Sequence, residues 1–234
     1  MVPNMNIEQY QYKTELHLHT SPASRCSEVS PETAIKLYAD LGYDSIVICN
    51  HFHTGMRFYG QRQKCIDEYL ADYERAVEAG EKYGVNVILG CEIRFTENLN
   101  DYLLFGIDRD FINEAYDYLD MGIEAFSKYF RMKNHLLIQA HPFRDGMTST
   151  SPEYLDGIET FNMHPNHNSR IAIAEKYAKQ HGLIPTVGSD FHHIGHEGLA
   201  ALLTKEEIKT SKDIVDILRG RDYLFKIGDS ILLI

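Results

Sequence analysis

The chain has 234 residues, 44% of them hydrophobic, which fits one large domain spanning 1–234 with a sizeable core. Its 34 acidic residues against 23 basic ones give a formal net charge of −11, which argues against general nucleic-acid binding and against an anionic membrane surface. The N-terminal stretch has no apolar run of signal-peptide length, and nowhere are there about eighteen consecutive apolar residues, so a soluble cytoplasmic protein with no membrane partner is expected.

The first strand is expected at ELHLHT, Glu15 to Thr20, where the two-residue period of a strand sets His17 and His19 on one face and Leu16 and Leu18 on the other. Two imidazoles side by side either share a partner or each take a separate hydrogen bond on a polar strand face. Ser30-Pro31-Glu32 reads as the N-cap and first-turn proline of a helix that turns Ile35, Tyr38 and Leu41 inward and stops at Gly42. SIVICN (45–50) is a buried strand. Helical spacing runs from Lys64 to Tyr83 through Ile66, Tyr69, Leu70, Tyr73 and Val77, Gly84 stops it, and VNVILGCEI supplies another strand. Cys49 and Cys91 sit in these apolar runs, and with no CxxC spacing to Cys26 or Cys65 they read as reduced, buried thiols. The alternation continues through YLLFG (102–106), a helical region at about 110–133, HLLIQA (135–140), GIETF (157–161), a helix at about 168–181 and LIPTVG (183–188). Thr204 to Glu207 has the form of a capping box, Ser211 is placed to cap a last helix ending near Gly220, and YLFKIG closes the pattern. Strands alternating with helices imply an α/β fold on a parallel sheet, best met by a closed or nearly closed βα barrel.

Polar residues collect where these strands end: His17 and His19, then Asn50-His51, Glu92, His141, and Asp190 with His192. In a βα barrel that rim is where active sites are built. Any one of them alone reads more readily as a satisfied structural histidine or a solvated carboxylate. Together, imidazole nitrogens and carboxylate oxygens at one end suit a multinuclear site for zinc, manganese or iron. Arg144 lies three residues beyond one candidate ligand and Arg94 two beyond another. A guanidinium there suits a phosphate, and pairing with a nearby carboxylate is the alternative. His53, His164, His167, His193 and His196 flank the rim, where contact with substrate and plain solvation remain equal alternatives. His181, just before Gly182, reads as a cation at a helix C-terminus, and His135 as a loop residue.

The motifs HLH, ICNH, GCE, AHP and GSDFH occur in that order between about Glu15 and Gly228, and the series resembles the PHP superfamily, named for polymerase and histidinol phosphatase. The resemblance implies a distorted seven-stranded (β/α)7 barrel that holds two to three divalent metal ions at the C-terminal rim of its strands. Carried over by residue, His17, His19, Glu92 and Asp190 would hold the first ion, Glu92 would bridge to a second bound by His141, and His51 and His192 would bind a third. Two positions depart from the family. Asp101 in NDYLLFG stands where a histidine is common; a carboxylate still ligates but is harder than imidazole. Arg25 stands where a histidine or aspartate is common, and a charged guanidinium has no lone pair for a metal. The third ion is therefore expected to be weakly held, with Arg25 facing substrate phosphate instead and Cys26, one residue on, as the remaining donor.

The activity implied is hydrolysis of a phosphate ester, with a small phosphorylated metabolite or nucleotide as substrate. A bound metal lowers the pKa of its water from about 15.7 to roughly 7 and so supplies hydroxide at neutral pH. Arg144, with Arg25, Arg94 and His164, would contact the substrate, and a rim histidine would protonate the leaving alcohol. Two alternatives stand beside this: a related metallohydrolase acting on an amide or lactone, and a non-catalytic metal-binding module. The seven matching ligands weigh towards an enzyme.

Overall fold

Strand β1 (Tyr12–Leu18) starts half-buried and ends with five buried residues, so both histidine-bearing and leucine-bearing faces are covered. The computed structural model describes residues 6–132 and 134–234. Ser30 caps α1 (Pro31–Asp40), accepting the Thr33 N–H at 3.3 Å with Pro31 in the first turn, and Ile35 and Tyr38 are buried beneath it. Leu41, expected inward, follows the helix end and is 44% exposed. The run 45–50 divides into β2 (Ser45–Ile48) and β3 (His51–Phe52), separated by two residues. α2 (Arg62–Tyr83) ends at Gly84 in the left-handed region, as its periodicity requires, and VNVILGCEI likewise divides into β4 (Asn86–Leu89) and β5 (Cys91–Arg94).

β6 (Asp101–Phe105) leads into α3 (Arg109–Ala115), capped by Asp108. The expected single helix to about 133 is broken by a 3-10 turn at Tyr116–Tyr118 and resumes as α4 (Gly122–Arg131), because Gly122 has φ +81°, outside the right-handed helical region. β7 (Leu136–Gln139), β8 (Gly157–Asn162), α5 (Ile171–His181) and β9 (Ile184–Gly188) fall close to their expected places.

After β9 the chain forms a strand where a helix start was expected. β10 (Ala200–Thr204) runs antiparallel to β1, and Thr204 is its buried last residue, donating through Oγ1 to the Glu206 carbonyl at 2.6 Å instead of capping a helix. Ala and Leu dominate that segment and favour helix; pairing between β1 and a further strand overrides the local preference. The capping box belongs to α6 (Ser211–Gly220), where Thr210 Oγ1 accepts the Asp213 N–H and Asp213 accepts the Thr210 N–H at 2.8 Å. Ser211, expected as the cap, instead accepts the Gly106 and Ile107 N–H groups and ties α6 to the end of β6. β11 (Leu224–Ile227) and β12 (Ser230–Leu232) form a closing hairpin.

Among the described residues the strands form two six-stranded sheets, ordered β12-β11-β10-β1-β2-β4 and β3-β5-β6-β7-β8-β9. The pairings are mixed. β1–β2, β2–β4, β3–β5, β7–β8 and β8–β9 are parallel, whereas β6 is antiparallel to both neighbours, as are the β10–β12 pairings. The expectation of one parallel sheet is thus corrected: the short return between β5 and β6 leaves no room for the crossover that a parallel pair needs. A parallel bridge between Leu18 and Phe191 links β1 to the segment after β9 and brings residues 17–20 beside 189–192. Among the described residues no helix is long and apolar enough to cross a membrane.

Candidate metal centre

The ends of β1, β5 and β9 converge on a buried cluster of His17, His19, Glu92 and Asp190. His17 Nε2 lies 3.0 Å from His19 Nε2, 3.4 Å from Glu92 Oε1 and 3.5 Å from Asp190 Oδ1; His19 Nε2 lies 3.4 Å from both Glu92 Oε2 and Asp190 Oδ1. A tetrahedral ion with bonds of about 2.0–2.1 Å to nitrogen and oxygen would hold its ligand atoms about 3.3–3.4 Å apart. His17, His19 and Glu92 each offer a ligand atom within 4.8 Å of the others, a group that could hold a metal ion, and Asp190 borders it. Asp190 and His141 both adopt positive φ, +53° and +29°, a backbone strain that is typical of functional positions.

His141 continues the cluster, its Nε2 at 3.2 Å from Glu92 Oε1. On the other side His51 Nδ1 is 2.7 Å from Glu92 Oε2, yet the two atoms are not aligned for a hydrogen bond, and both are buried without one. An imidazole nitrogen and a carboxylate oxygen brought together without a hydrogen bond are what a shared cation would explain. Burial favours the neutral Glu92 carboxyl, but the charges of His51 and His17 prevail and hold it well below the usual carboxylate range. Asp190 is likewise held low, against its burial, by His17 and His19. Burial pushes His19 in the opposite direction, and the neighbouring charges of His192 and His51 add to this, so its ring is well below the ordinary imidazole range.

Both oxygens of Asp101 are taken by Arg94, at 2.6 Å from Nε and 2.7 Å from Nη2, and its Oδ2 is 3.9 Å from His141 Nε2. Arg94 thus takes the ion-pair alternative. Arg144 sits between Asp190 and Asp101 at 3.7 and 3.9 Å, beyond hydrogen-bond reach of either. It lines a cavity of about 720 Å³ above the cluster, together with Arg25, Arg94, His164 and His192. Arg25 is exposed there and has no ion-pair partner among the described residues. His164 is buried, its Nδ1 accepts the Asn166 N–H at 3.2 Å, and burial lowers it to about 4. Cys26 Sγ stands 3.2 Å from His192 Nε2.

A layer of buried carboxylates beneath the histidines was not anticipated from the sequence. Glu159, in the middle of β8, accepts from His17 Nδ1 at 2.9 Å, from the His141 N–H at 3.0 Å and from Asn162 Nδ2 at 3.0 Å. With Nδ1 donating, His17 keeps the Nε2 lone pair directed at the cluster, the usual arrangement behind a metal-binding histidine. Glu15 accepts the His17 and Ser189 N–H groups and the Tyr38 hydroxyl, and burial raises it to about 7 against those hydrogen bonds. The available signal was a glutamate inside an apolar strand, which must find a partner when buried. Gly188 closes the arrangement: a Cβ there would collide with His17 Cβ and lie 2.6 Å from Glu159 Oε1.

The PHP domain family model matches residues 15–225, and the chain belongs to that family. Among solved structures, a two-domain protein from Bacteroides vulgatus, described as containing a PHP-like metal-dependent phosphoesterase, aligns over 99% of this chain and 68% of its own at 17% identity, with a TM-score of 0.65. A metal-dependent phosphoesterase from Bifidobacterium adolescentis, so assigned, aligns over 89% and 96% at 15% identity, with a TM-score of 0.57. An amidohydrolase from Chromobacterium violaceum, with sulfate and no metal bound, aligns over 79% and 89% at 16% identity, with a TM-score of 0.51. Identities this low speak for the fold. No curated protein matches the chain significantly.

Proposed function

We propose that the protein is a metal-dependent phosphoesterase that hydrolyses a small phosphorylated metabolite or nucleotide. The observation that carries this reading is the clustering of His17, His19, Glu92 and Asp190, in which the two Nε2 atoms lie 3.0–3.5 Å from each other and from the carboxylate oxygens, beneath an arginine-lined cavity. These four hold the first of two to three ions of zinc, manganese or iron, Glu92 and His141 with Asp101 the second, and His51 with His192 the third. Such ions, when bound, act as Lewis acids towards phosphoryl oxygen and acidify water.

The remaining work falls to side chains. Arg144, held between two carboxylates at distances too long for hydrogen bonds, has N–H groups left to orient a phosphate. Arg94 is fixed by Asp101 and presents its remaining edge to the same cavity, while Arg25 meets substrate at the mouth. In neutral His164 the Asn166 bond leaves the proton on Nε2, where it donates to a substrate oxygen. We also read residues 1–234 as one cytoplasmic domain, its four unpaired cysteines fitting a reducing compartment. We read the fold as a distorted seven-strand barrel, with β2/β3 and β4/β5 each counted as one kinked strand; the Leu18–Phe191 bridge between β1 and the segment after β9 supports this reading.

The test is a panel of phosphorylated metabolites and nucleotides, run beside amides and lactones with metal-reconstituted protein. Phosphate release that stops in chelator and returns with manganese, zinc or iron is expected. Turnover of amides or lactones alone would assign the centre to the related metallohydrolase class.

A further inference from the structure

We infer that Cys26 is a metal ligand whose thiolate joins His51 and His192 to form a three-donor site for a zinc-like ion at the outer edge of the rim. The inference rests on the metal-centre reading above and supplies the protein ligand that Arg25 cannot provide.

The loop that carries Cys26 is held on both sides of it. Ala23 N–H donates to Asp72 at 2.9 Å and Ser24 Oγ to Asn50 at 2.9 Å; beyond the cysteine, Ser27 Oγ reaches the carbonyls of His19 and His192, and Glu28 N–H donates to the His192 carbonyl. Cys26 is therefore fixed against His192 rather than swinging freely. His192 is oriented as well: its Nδ1 donates to the Asp190 carbonyl at 2.8 Å, which leaves the Nε2 lone pair facing Cys26 Sγ at 3.2 Å. Tetrahedral bonds of about 2.3 Å to sulfur and 2.05 Å to nitrogen would set these atoms about 3.6 Å apart, close to what is seen. The ring nitrogens of His19, His51 and His192 lie within 4.8 Å of one another. Glu92 Oε2, fully buried and unpartnered, abuts His51 Nδ1 at 2.7 Å, a second sign that a cation belongs beside that ring. On binding, the thiol proton passes to solvent and the sulfur exchanges its contact with His192 for a bond to the ion.

One sulfur with two imidazoles is softer than the carboxylate-bearing inner sites, so the outer position prefers zinc to manganese. Arg25 does not prevent this, because its exposed charge is screened by solvent.

Cobalt(II) titrated into the metal-free full-length chain is the probe. The parent should develop the near-ultraviolet thiolate-to-cobalt charge-transfer band, and zinc should protect one accessible thiol from a disulfide reagent, since Cys49, Cys65 and Cys91 are buried. Cys26→Ser should lose the band and one equivalent of tightly held metal; Cys26→His should recover the equivalent without the band. Cobalt bound and phosphate ester turned over with no band, or Cys26→Ser holding as much metal as the parent, would overturn the assignment of Cys26 alone. A parent that binds no cobalt would overturn it together with the metal-centre reading.

Discussion

His17 and His19 stand at the end of a fully covered strand, with Glu159 and Ser24 bonded to their Nδ1 atoms, whereas His51, His192 and Cys26 stand on strand ends and a loop that open onto the cavity. The inner group has two buried carboxylates, Glu15 and Glu159, fixing backbone and ring together. In the outer group the His192 ring is oriented by a backbone carbonyl, and His51 keeps an unpartnered Nδ1. Orientation by buried charge makes a ligand set that is rigid before any cation arrives; orientation by a backbone carbonyl at the cavity edge leaves donors free to meet solvent or substrate. Under the proposed function, the inner group would be the anchoring site and the outer group the adjustable one.

Removing an inner ligand should have the largest effect. Asp190→Ala and His17→Ala are each expected to reduce phosphate release to background and to strip metal, as elemental analysis of the purified variants would record. Glu159→Gln tests the inner scaffold without touching a ligand. Losing a carboxylate behind a metal-bound histidine costs about 10–100-fold in metal affinity, which chelator competition would read. An affinity equal to the parent's would remove the proposed contrast between inner and outer groups.

Arg144→Ala should leave metal content unchanged. Charge-assisted hydrogen bonds are worth about 1.5–3 kcal/mol, so kcat/KM should fall about ten- to a hundredfold, mostly through KM. If metal content fell instead, Arg144 would belong to the scaffold of the cluster. Gly188→Ala acts on the scaffold and not on a ligand: the added methyl would meet His17 Cβ at 2.4 Å and Glu159 Oε1 at 2.6 Å, so one of them must shift. Overpacking of this kind costs about 1–3 kcal/mol, seen as a lower denaturant midpoint, and only the inner site should weaken with it.

The strand ends that converge on the cluster were legible because the pattern is local: an HxH on one strand face, a glutamate following an apolar run, and Asp190 and His192 two residues apart after another. Their convergence also depended on β9 bridging β1, which the order of motifs implied through the family resemblance. Glu159 was not legible as a partner, since it acts across the fold on His17, 142 residues away; Glu15 is only two residues from His17, but its bonds to the His17 and Ser189 N–H groups depend on a side chain turning back on its own strand, which alternation does not encode. β10 escaped for a related reason. Its alanines and leucines become strand because β1 and β11 offer their edges, and a wrong helix start at Thr204 followed from reading Thr204 to Glu207 as a capping box without those edges. The bidentate pairing of Asp101 with Arg94, seven residues apart, depends on side-chain reach, which spacing does not encode.

The central claim is that these rim residues converge because they hold cations. Elemental analysis of the protein purified without added metal or chelator tests it most directly. At least two equivalents of zinc, manganese or iron per chain are expected, falling below one in Asp190→Ala. A parent that carries none and takes up none from excess zinc or manganese at neutral pH would contradict the claim.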